Sequence, residues 1–245
     1  MTIKTKRTHD ILYLKENRYE KTKEMFKFIF NHAFPSVKAS SYEHLKILDI
    51  GCAAGEFTYY LKKKIKGNSN IIGADIHSNL LRKAKQNVKD VKFIKKNVLH
   101  KNAFQNKKFN KIFMIGVHPI FDSFEKCFTN LINWTTSGGE IYICDMFNPY
   151  PVDVIIRYKL SKNYKKKSYE TGWNIFSKNS VISFLKQKKR IKSLKFKQFH
   201  MPFDLKMNKL DTVRSWTFKD QKGQRIMTNG LSIIQNQTLL KIKLK

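Results

Sequence analysis

The amino-acid sequence predicts an α/β protein built on a parallel sheet that is covered by helices on both faces. Between residues 45 and 147, short apolar runs alternate with stretches whose apolar residues recur every three or four positions. The runs suit buried strands and the stretches suit crossover helices, a pattern typical of parallel sheets. The last predicted strands follow one another without a long helix, which indicates antiparallel pairing at one end of the sheet.

The first predicted element is a helix over residues 9–33, because Met25, Phe26, Ile29 and Phe30 share one apolar face. The predicted strands that follow are KILDI (46–50), NIIGADI (70–76), VKFIKKNVL (91–99), FNKIFMIGV (109–117) and GEIYICDMF (139–147). The helices predicted between them are EFTYYLKKKIK, then SNLLRKAKQNV with Ser78 as its N-cap, and FDSFEKCFTNLINW.

Beyond Pro149 the sequence predicts one more helix, which begins after the capping residue Ser177. Two further strands are predicted in KSLKFKQFH (192–200) and LSIIQNQTLLKIKLK (231–245). Between them, WTF and RIMT flank KDQKGQ, a pattern that predicts a β-hairpin with a glycine turn.

The net charge of +31 is compatible with two kinds of protein. A strongly basic chain can serve a polyanionic partner. However, only seven of the 49 basic residues are Arg, the residue favoured for bidentate phosphate and guanine recognition. Lys, Asn, Ile and Phe are all abundant, as in a genome rich in A and T. We therefore favour a solvated basic surface and keep a polyanion groove around residues 159–197 as the alternative.

Other features of the composition narrow the class of protein. Cys52, Cys127 and Cys144 are widely spaced and form no CxxC motif, so neither a zinc site nor a disulfide framework is predicted. No metal site is expected. No apolar run is long enough to cross a membrane, and the N-terminal residues lack the apolar core of a secretory signal. These observations predict a cytoplasmic protein.

A glycine-containing turn follows the first predicted strand, in LKILDIGCAAGEFTYYLKK (45–63). Such a strand–turn–helix unit presents backbone N–H groups to a ligand. A nucleoside triphosphate loop would need GxxxxGK[ST], which is absent here. A dinucleotide site would need a further glycine between Gly51 and Gly55, so that pyrophosphate could approach the backbone. The turn therefore favours a nucleoside joined to an amino acid.

The segment DIGCAAGEFT resembles the first motif of class I S-adenosylmethionine-dependent methyltransferases. Asp75 ends the next strand, 20 residues beyond Gly55, where an acidic side chain can accept both ribose hydroxyl protons. Beside the adenine the family usually has Asp, whereas this chain has Asn97, whose carbonyl oxygen can accept the same hydrogen bond. The resemblance covers about residues 45–148.

The resemblance implies a Rossmann-like, doubly wound, mostly parallel seven-stranded sheet with an antiparallel C-terminal strand. It implies S-adenosylmethionine as the cofactor, S-adenosylhomocysteine as the product, and cofactor contacts from Asp49, Gly51, Cys52, Gly55, Asp75, Ile76, Asn97 and Val98. We predict a single methyltransferase domain over residues 1–245. It is divided into a helical cap (1–40), a cofactor-binding core (41–148) and a substrate-side segment with the last strands (149–245).

Two residues are candidates for catalysis. In a doubly wound sheet the ligand lies beyond the carboxyl ends of the strands, where IGVHPIF places His118 and where the fifth strand places Asp145. Methyl transfer to oxygen or nitrogen requires removal of a proton, and His titrates in the range suited to a general base. The alternatives are that His118 shapes its loop, or that positioning alone accounts for the rate.

The acceptor is predicted from a weaker resemblance. GWNIFSKNSVISFL and RIMTNGLSIIQNQTLLKI resemble bacterial methyltransferases of sugar and surface-glycan biosynthesis, which implies a small hydroxylated acceptor such as a sugar or a nucleotide sugar. An RNA methyltransferase that uses the basic surface, and a non-catalytic S-adenosylmethionine-binding protein, remain open as alternatives. Additional candidates to line the acceptor site are Arg18, Tyr19, Trp173 and Asn174.

Overall fold

The computed structural model describes residues 9–35, 44–65 and 67–245. Its strands are β1 Lys46–Ile50, β2 Asn70–Asp75, β3 Lys92–Lys95, β4 Phe109–Ile115, β5 Thr135–Asn148, β6 Arg157–Tyr158, β7 Glu170–Thr171, β8 Phe176–Ser177, β9 Ile191–Gln198, β10 Trp216–Lys219, β11 Arg225–Thr228 and β12 Gln237–Leu244. Its α-helices are α1 Glu24–Ala33, α2 Glu56–Lys64, α3 Ser78–Asn87, α4 Glu125–Trp134 and α5 Lys178–Lys186.

Seven strands form the main sheet in the order β3-β2-β1-β4-β5-β12-β9. The first five are parallel to one another, and β12 is antiparallel to both of its neighbours, β5 and β9. The short strand β8 adds a further parallel pairing at the end of β5. The order of strands reverses direction between β1 and β4, so the carboxyl ends of these two strands border a crevice. The predicted Rossmann-like architecture is confirmed.

Helices cover both faces of the sheet, each through its own apolar cluster. On one face, α1 and α2 contribute Ile29 and Leu61, both fully buried, to a cluster around Phe113 of β4. On the other face, α4 and α5 contribute Phe128 and Leu185 to a larger cluster. Because both faces are covered, the central strands carry near-continuous apolar runs, which is why they were visible in the sequence.

The structure corrects two local predictions. Residues 9–33 are not one helix: His9–Leu14 form a 3-10 helix, residues 16–18 are irregular, and α1 begins only at Glu24. Tertiary contacts made by the intervening residues replace the helical hydrogen bonds. Ser78 is not the N-cap of α3, because His77 occupies that position and Ser78 is the first helical residue. By contrast, Ser177 caps α5, and its side chain accepts a hydrogen bond from the Ser180 N–H at 2.9 Å.

The predicted hairpin near the C-terminus is present as β10 and β11, with Trp216 opposite Thr228 and a left-handed Gly223 in the turn. Parts of the predicted cap, residues 1–8 and 36–40, lie outside the described residues. Across the described part of the chain, no helix has the length and apolar character needed to cross a membrane.

Candidate functional site

A cleft of about 790 Å³ lies at the carboxyl ends of β1, β2 and β4. Volumes of this size are typical of sites for small molecules and cofactors. Its walls include seven of the eight residues for which sequence analysis predicted cofactor contacts: Asp49, Gly51, Cys52, Asp75, Ile76, Asn97 and Val98. Further parts of the wall come from the segment before α2 and from the residues that follow β4. We call the latter the lip (residues 117–123).

Gly51 forms the floor of the turn after β1. Its φ of +78° is left-handed, and its N–H donates to the Ala74 carbonyl at 2.7 Å. A Cβ at this position would lie 2.2 Å from Cγ2 of Val117, so the absence of a side chain lets the lip approach the turn. Only glycine combines a left-handed φ with room for the Val117 side chain.

Gly55 was predicted to contact the cofactor, but it does not line the cleft. It is the N-cap of α2, with a φ of +81°. A Cβ there would lie 3.0 Å from Cβ of Ala84 and 3.1 Å from Cζ of Phe93. Gly55 therefore permits close packing of α2 onto its neighbours, and the sequence spacing alone did not separate this task from ligand contact.

Asp49 places a buried carboxylate in the floor of the cleft. Its Oδ2 accepts a hydrogen bond from the Thr58 hydroxyl at 2.6 Å. Burial raises the pKa of Asp49 to about 7, the Thr58 hydrogen bond opposes that rise, and the nearby charge of Asp75 adds to it. Thr58 was not identified in the sequence, since a hydroxyl nine residues away carries no motif of its own.

Asp75 is the second buried carboxylate of the cleft. It accepts backbone hydrogen bonds from Ala53 at 2.9 Å and from His77 at 2.8 Å, and thereby joins the turn after β1 to the start of α3. Burial raises its pKa, although these two N–H groups lower it. Each carboxylate oxygen retains a lone pair for a further donor. Beside it, Ile76 is half exposed within the cleft.

Asn97 and Val98 lie beyond the end of β3. The Asn97 side-chain oxygen accepts from the Leu99 N–H at 2.9 Å, which fixes the turn. The Val98 carbonyl accepts from the buried Asn130 side chain at 2.7 Å. Asn130 lies on α4 and anchors this wall from behind, and nothing in its sequence context indicated that task.

The segment before α1 closes one side of the cleft; we call residues 9–23 the strap. Asp10, Tyr13 and Lys23 of the strap line the cleft, and sequence analysis identified none of them. The ammonium group of Lys83 donates to the carbonyls of Leu14 at 2.8 Å and of Glu16. The strap is thus fixed to α3.

Glu16 ties the strap to a distant part of the chain. Its carboxylate lies 2.7 Å from Nη2 of Arg214 and 3.0 Å from Nζ of Lys23. Burial alone would raise the pKa of Glu16, but these two cations lower it below its ordinary value. Lys23 also lies 3.8 Å from Glu56 at the start of α2, so one ionic cluster spans strap, helix and C-terminal region.

His118 and Asp145 are brought together, but outside the cleft. His118 is fully inaccessible, and its Nδ1 donates to Oδ2 of Asp145 at 3.0 Å. The same oxygen accepts from the Val117 N–H at 3.0 Å. The His118 ring stacks on Phe147, with centroids 4.8 Å apart. This arrangement does not fit the general base that we expected, and it makes both residues supports of the lip.

The other candidates from the sequence are structural. The Tyr19 hydroxyl donates to the Ala54 carbonyl at 2.6 Å, and Asn174 is fully buried, with its amide donating to the Phe121 carbonyl at 2.8 Å. Neither these two residues nor Arg18 and Trp173 line the cleft. Cys127 and Cys144 are buried in the core, and burial raises the pKa of both thiols. Across the described ranges, no cluster of His, Cys, Asp and Glu has the geometry of a metal site.

Two solved structures resemble this fold over nearly its whole length. One is the N-methyltransferase NodS from Bradyrhizobium japonicum WM9 in complex with S-adenosyl-L-homocysteine, with a TM-score of 0.52 and 14% identity over 96% of this chain and 92% of that one. The other is a SAM-dependent methyltransferase from Archaeoglobus fulgidus, with a TM-score of 0.54 and 15% identity over 95% of this chain and 99% of that one. At such identities the likeness establishes the fold.

Sequence comparison leads to the same group of proteins. A protein named "Putative methyltransferase 235L" from Invertebrate iridescent virus 6 is 24% identical over 162 residues, which are 65% of this chain. The chain matches about 60% of the length of that relative. The family described as "Methyltransferase domain" matches residues 41–198. Since that match spans more than half of the sequence, and the strand order and cleft agree with it, the chain belongs to the methyltransferase-domain family.

Proposed function

We propose that this protein transfers the methyl group of S-adenosylmethionine to an oxygen or nitrogen atom of a small acceptor. The observation that carries the proposal is the pair of buried carboxylates, Asp49 and Asp75, in a cleft of about 790 Å³ at the carboxyl ends of adjacent strands. Family membership supports methyl transfer as the reaction class.

The charges of the cleft suit this cofactor. Asp49 and Asp75 are both buried, and burial raises the pKa of each. S-adenosylmethionine carries a sulfonium and an ammonium group, so a bound cofactor would offset the cost of keeping these carboxylates ionised. A pyrophosphate would add negative charge to the same place. The electrostatics thus favour the same ligand as the glycine pattern.

The individual residues divide the binding task. Asp75 has lone pairs left to accept ribose hydroxyl protons, and Ile76 offers an apolar surface beside it. Asp49, held by Thr58, supplies negative charge next to the Gly51 turn. NodS was solved with S-adenosyl-L-homocysteine on the same fold, which supports this assignment of the cleft.

When bound, the cofactor supplies an electrophilic methyl group, and the acceptor supplies the electron pair for the new bond. The chain's contribution is to hold the two molecules in line and to keep water out. The strap and the lip form the walls that do so. The acceptor's proton can leave to a carboxylate of the cleft, among which are Asp10, Glu56 and Asp122. Burial raises the pKa of Glu56, which favours uptake of a proton, while the charge of Lys23 opposes the rise.

The acceptor that we propose is a small hydroxylated molecule such as a sugar or a nucleotide sugar. Support comes from the sequence likeness to glycan-biosynthesis methyltransferases and from the volume of the cleft, about 790 Å³, which is typical of sites for small molecules. We further propose that the protein acts in the cytoplasm.

The decisive experiment is incubation with methyl-labelled S-adenosylmethionine and separate pools of sugar nucleotides, small metabolites and RNA. We expect label to enter a small molecule, and we expect that Asp75→Ala will abolish the transfer. Label in RNA would replace the small acceptor with a nucleic acid. Cofactor binding without transfer to any pool would favour a non-catalytic binding protein, and absence of cofactor binding would refute the proposal.

A further inference from the structure

Residues 159–169, KLSKNYKKKSY, join β6 to β7; we call them the lysine–tyrosine loop. The loop contains five lysines and no acidic residue. The proposed function makes no use of it, since none of its residues lines the cleft. Such a concentration of one charge is unfavourable unless it is solvated or serves a ligand of opposite charge.

One lysine organises the loop. Nζ of Lys159 donates to the carbonyls of Tyr164 at 2.9 Å and of Lys166 at 3.0 Å. The same ammonium lies 4.9 Å from the centroid of the Tyr169 ring. The loop is therefore built around an internal cation, and the ammonium groups of its other four lysines make none of these contacts.

The other side chains of the loop face solvent. Lys162, Lys165, Lys166 and Lys167 are exposed, and no carboxylate among the described residues forms an ion pair with any of them. Tyr164 is 68% exposed and Tyr169 is 60% exposed. Nζ of Lys165 lies 5.7 Å from the centroid of the Tyr164 ring, so a cation and an exposed ring stand side by side here. Exposed rings beside ammonium groups without carboxylate partners are the combination that binds a nucleobase and its phosphate together.

The loop is attached to the lip of the cleft. At one end, Nη2 of Arg157 lies 2.6 Å from Oδ2 of Asp122, which lines the cleft. At the other end, the Asn174 N–H donates to the Pro119 carbonyl at 3.0 Å. The two ends of the loop are thus connected to the lip of the cleft. Tyr150, 72% exposed, follows β5 at the same edge of the sheet.

We propose that the lysine–tyrosine loop binds the phosphate groups and the ring of a phosphorylated nucleoside, which is the acceptor or the carrier of the acceptor. This rests on the proposed function and adds the class of molecule that is methylated. A lysine ammonium binds phosphate as a point charge, and a tyrosine ring accepts any nucleobase by stacking. The ligand that fits the proposed small acceptor is a nucleoside diphosphate sugar. Single-stranded RNA presents the same chemistry and is the alternative that the test distinguishes.

The test compares two triple variants with equal change of charge. In the loop, Lys165→Ser, Lys166→Ser and Lys167→Ser are combined. In the control, Lys192→Ser, Lys195→Ser and Lys197→Ser remove three exposed lysines from β9. Binding of uridine diphosphate glucose and of a short oligouridylate is measured by calorimetry for each protein. Binding of S-adenosylhomocysteine is measured alongside, together with thermal unfolding.

We expect the loop variant to bind uridine diphosphate glucose about tenfold more weakly or worse, because hydrogen bonds to charged groups are lost, and the control to bind it as the wild type does. Tyr164→Ala should weaken binding about tenfold through lost stacking. If oligouridylate is the better ligand, the slope of its salt dependence should fall by about 0.7 for each lysine that contacts a phosphate.

Equal losses in the loop variant and the control would overturn the proposal, since diffuse charge would then explain the binding. Failure of the wild type to bind either probe would overturn it as well. We expect S-adenosylhomocysteine binding to be unchanged in both variants. A negative result with the probes then contradicts the loop proposal alone, whereas failure of the wild type to bind S-adenosylhomocysteine contradicts the proposed function.

Discussion

The carboxylate of Asp145 lies 3.0 Å from Nδ1 of His118, and both side chains are buried beneath the lip instead of facing the cleft. Oδ2 of Asp145 also holds the Val117 N–H, and Val117 contacts the Gly51 turn. A chain of contacts thus runs from a buried His–Asp hydrogen bond to the Gly51 turn. Neither His118 nor Asp145 lines the cleft.

His118→Ala should destabilise the protein instead of removing a catalytic base. The variant leaves Asp145 buried with one donor fewer, at a cost of about 1–3 kcal/mol, and opens a cavity beside Phe147. Chemical denaturation measures the loss, and His118→Asn, which retains a donor, should recover part of it. Wild-type stability combined with a rate loss of about 10²–10⁴-fold would restore the base hypothesis.

Gly51→Ala should abolish cofactor binding. The added Cβ would lie 2.2 Å from the Val117 side chain and would strain a φ of +78°. Gly223→Ala in the hairpin turn is a matched control, because its φ is +75°, no atom lies within 4 Å of its Cβ position and it does not line the cleft. Calorimetry with S-adenosylhomocysteine should show a loss at Gly51 far exceeding that at Gly223. Adding Val117→Ala to Gly51→Ala should recover part of the binding, and equal effects at both glycines would contradict the steric argument.

Asp75→Ala should weaken S-adenosylmethionine binding by about 1.5–3 kcal/mol, since hydrogen bonds to a charged group are lost. The variant also removes the acceptor for the N–H groups of Ala53 and His77, so thermal unfolding must be measured beside the affinity. Asp75→Asn keeps one acceptor oxygen, so its affinity for S-adenosylmethionine should lie between those of the wild type and Asp75→Ala. Unchanged affinity in a folded Asp75→Ala protein would remove Asp75 from the site.

Asp49 should make the unliganded protein less stable as the pH rises. Its pKa is 3.8 ordinarily and about 7 when folded, so the folded state binds more protons between these values. The cost is absent below pH 3.8, grows between pH 3.8 and 7, and is complete above pH 7, where it reaches a few kcal/mol. Chemical denaturation of the wild type should therefore give a lower free energy of unfolding at pH 8 than at pH 5.

The Asp49→Asn variant supplies the control, because an amide does not titrate and the difference between the two pH values should shrink. Saturating S-adenosylmethionine should also reduce it, because a bound cation favours the ionised carboxylate. A wild type and an Asp49→Asn variant with identical pH profiles would show that Asp49 does not titrate in this range.

The parallel core was predictable because its strands are buried on both faces, so their apolar runs stand out even in a chain of this charge. The helices that cross between strands were equally visible through their apolar faces. Phe57, Tyr60 and Leu61 of α2, and Ile65 directly after it, recur every three or four positions and are all buried. Local pattern is sufficient where local and tertiary preferences agree.

The strap was not predictable, because its conformation depends on partners far along the chain. Glu16 pairs with Arg214, 198 residues away, and the Lys83 ammonium takes the place of helical donors for the Leu14 and Glu16 carbonyls. Likewise, the position of His118 at the end of β4 was inferred correctly, but the direction of its ring was not. The 3-10 turn His118–Ile120 points the ring inward onto Phe147.

The placement of β12 constrains the order in which the fold can form during synthesis. This strand lies between β5 and β9, although both are made before it. Until residues 237–244 leave the ribosome, β5 lacks its antiparallel partner and β9 has no place in the sheet. Until then, the parallel strands have an open edge at β5, and its unpaired backbone groups are exposed to other chains. Release of β12 is therefore the step that closes this edge of the sheet.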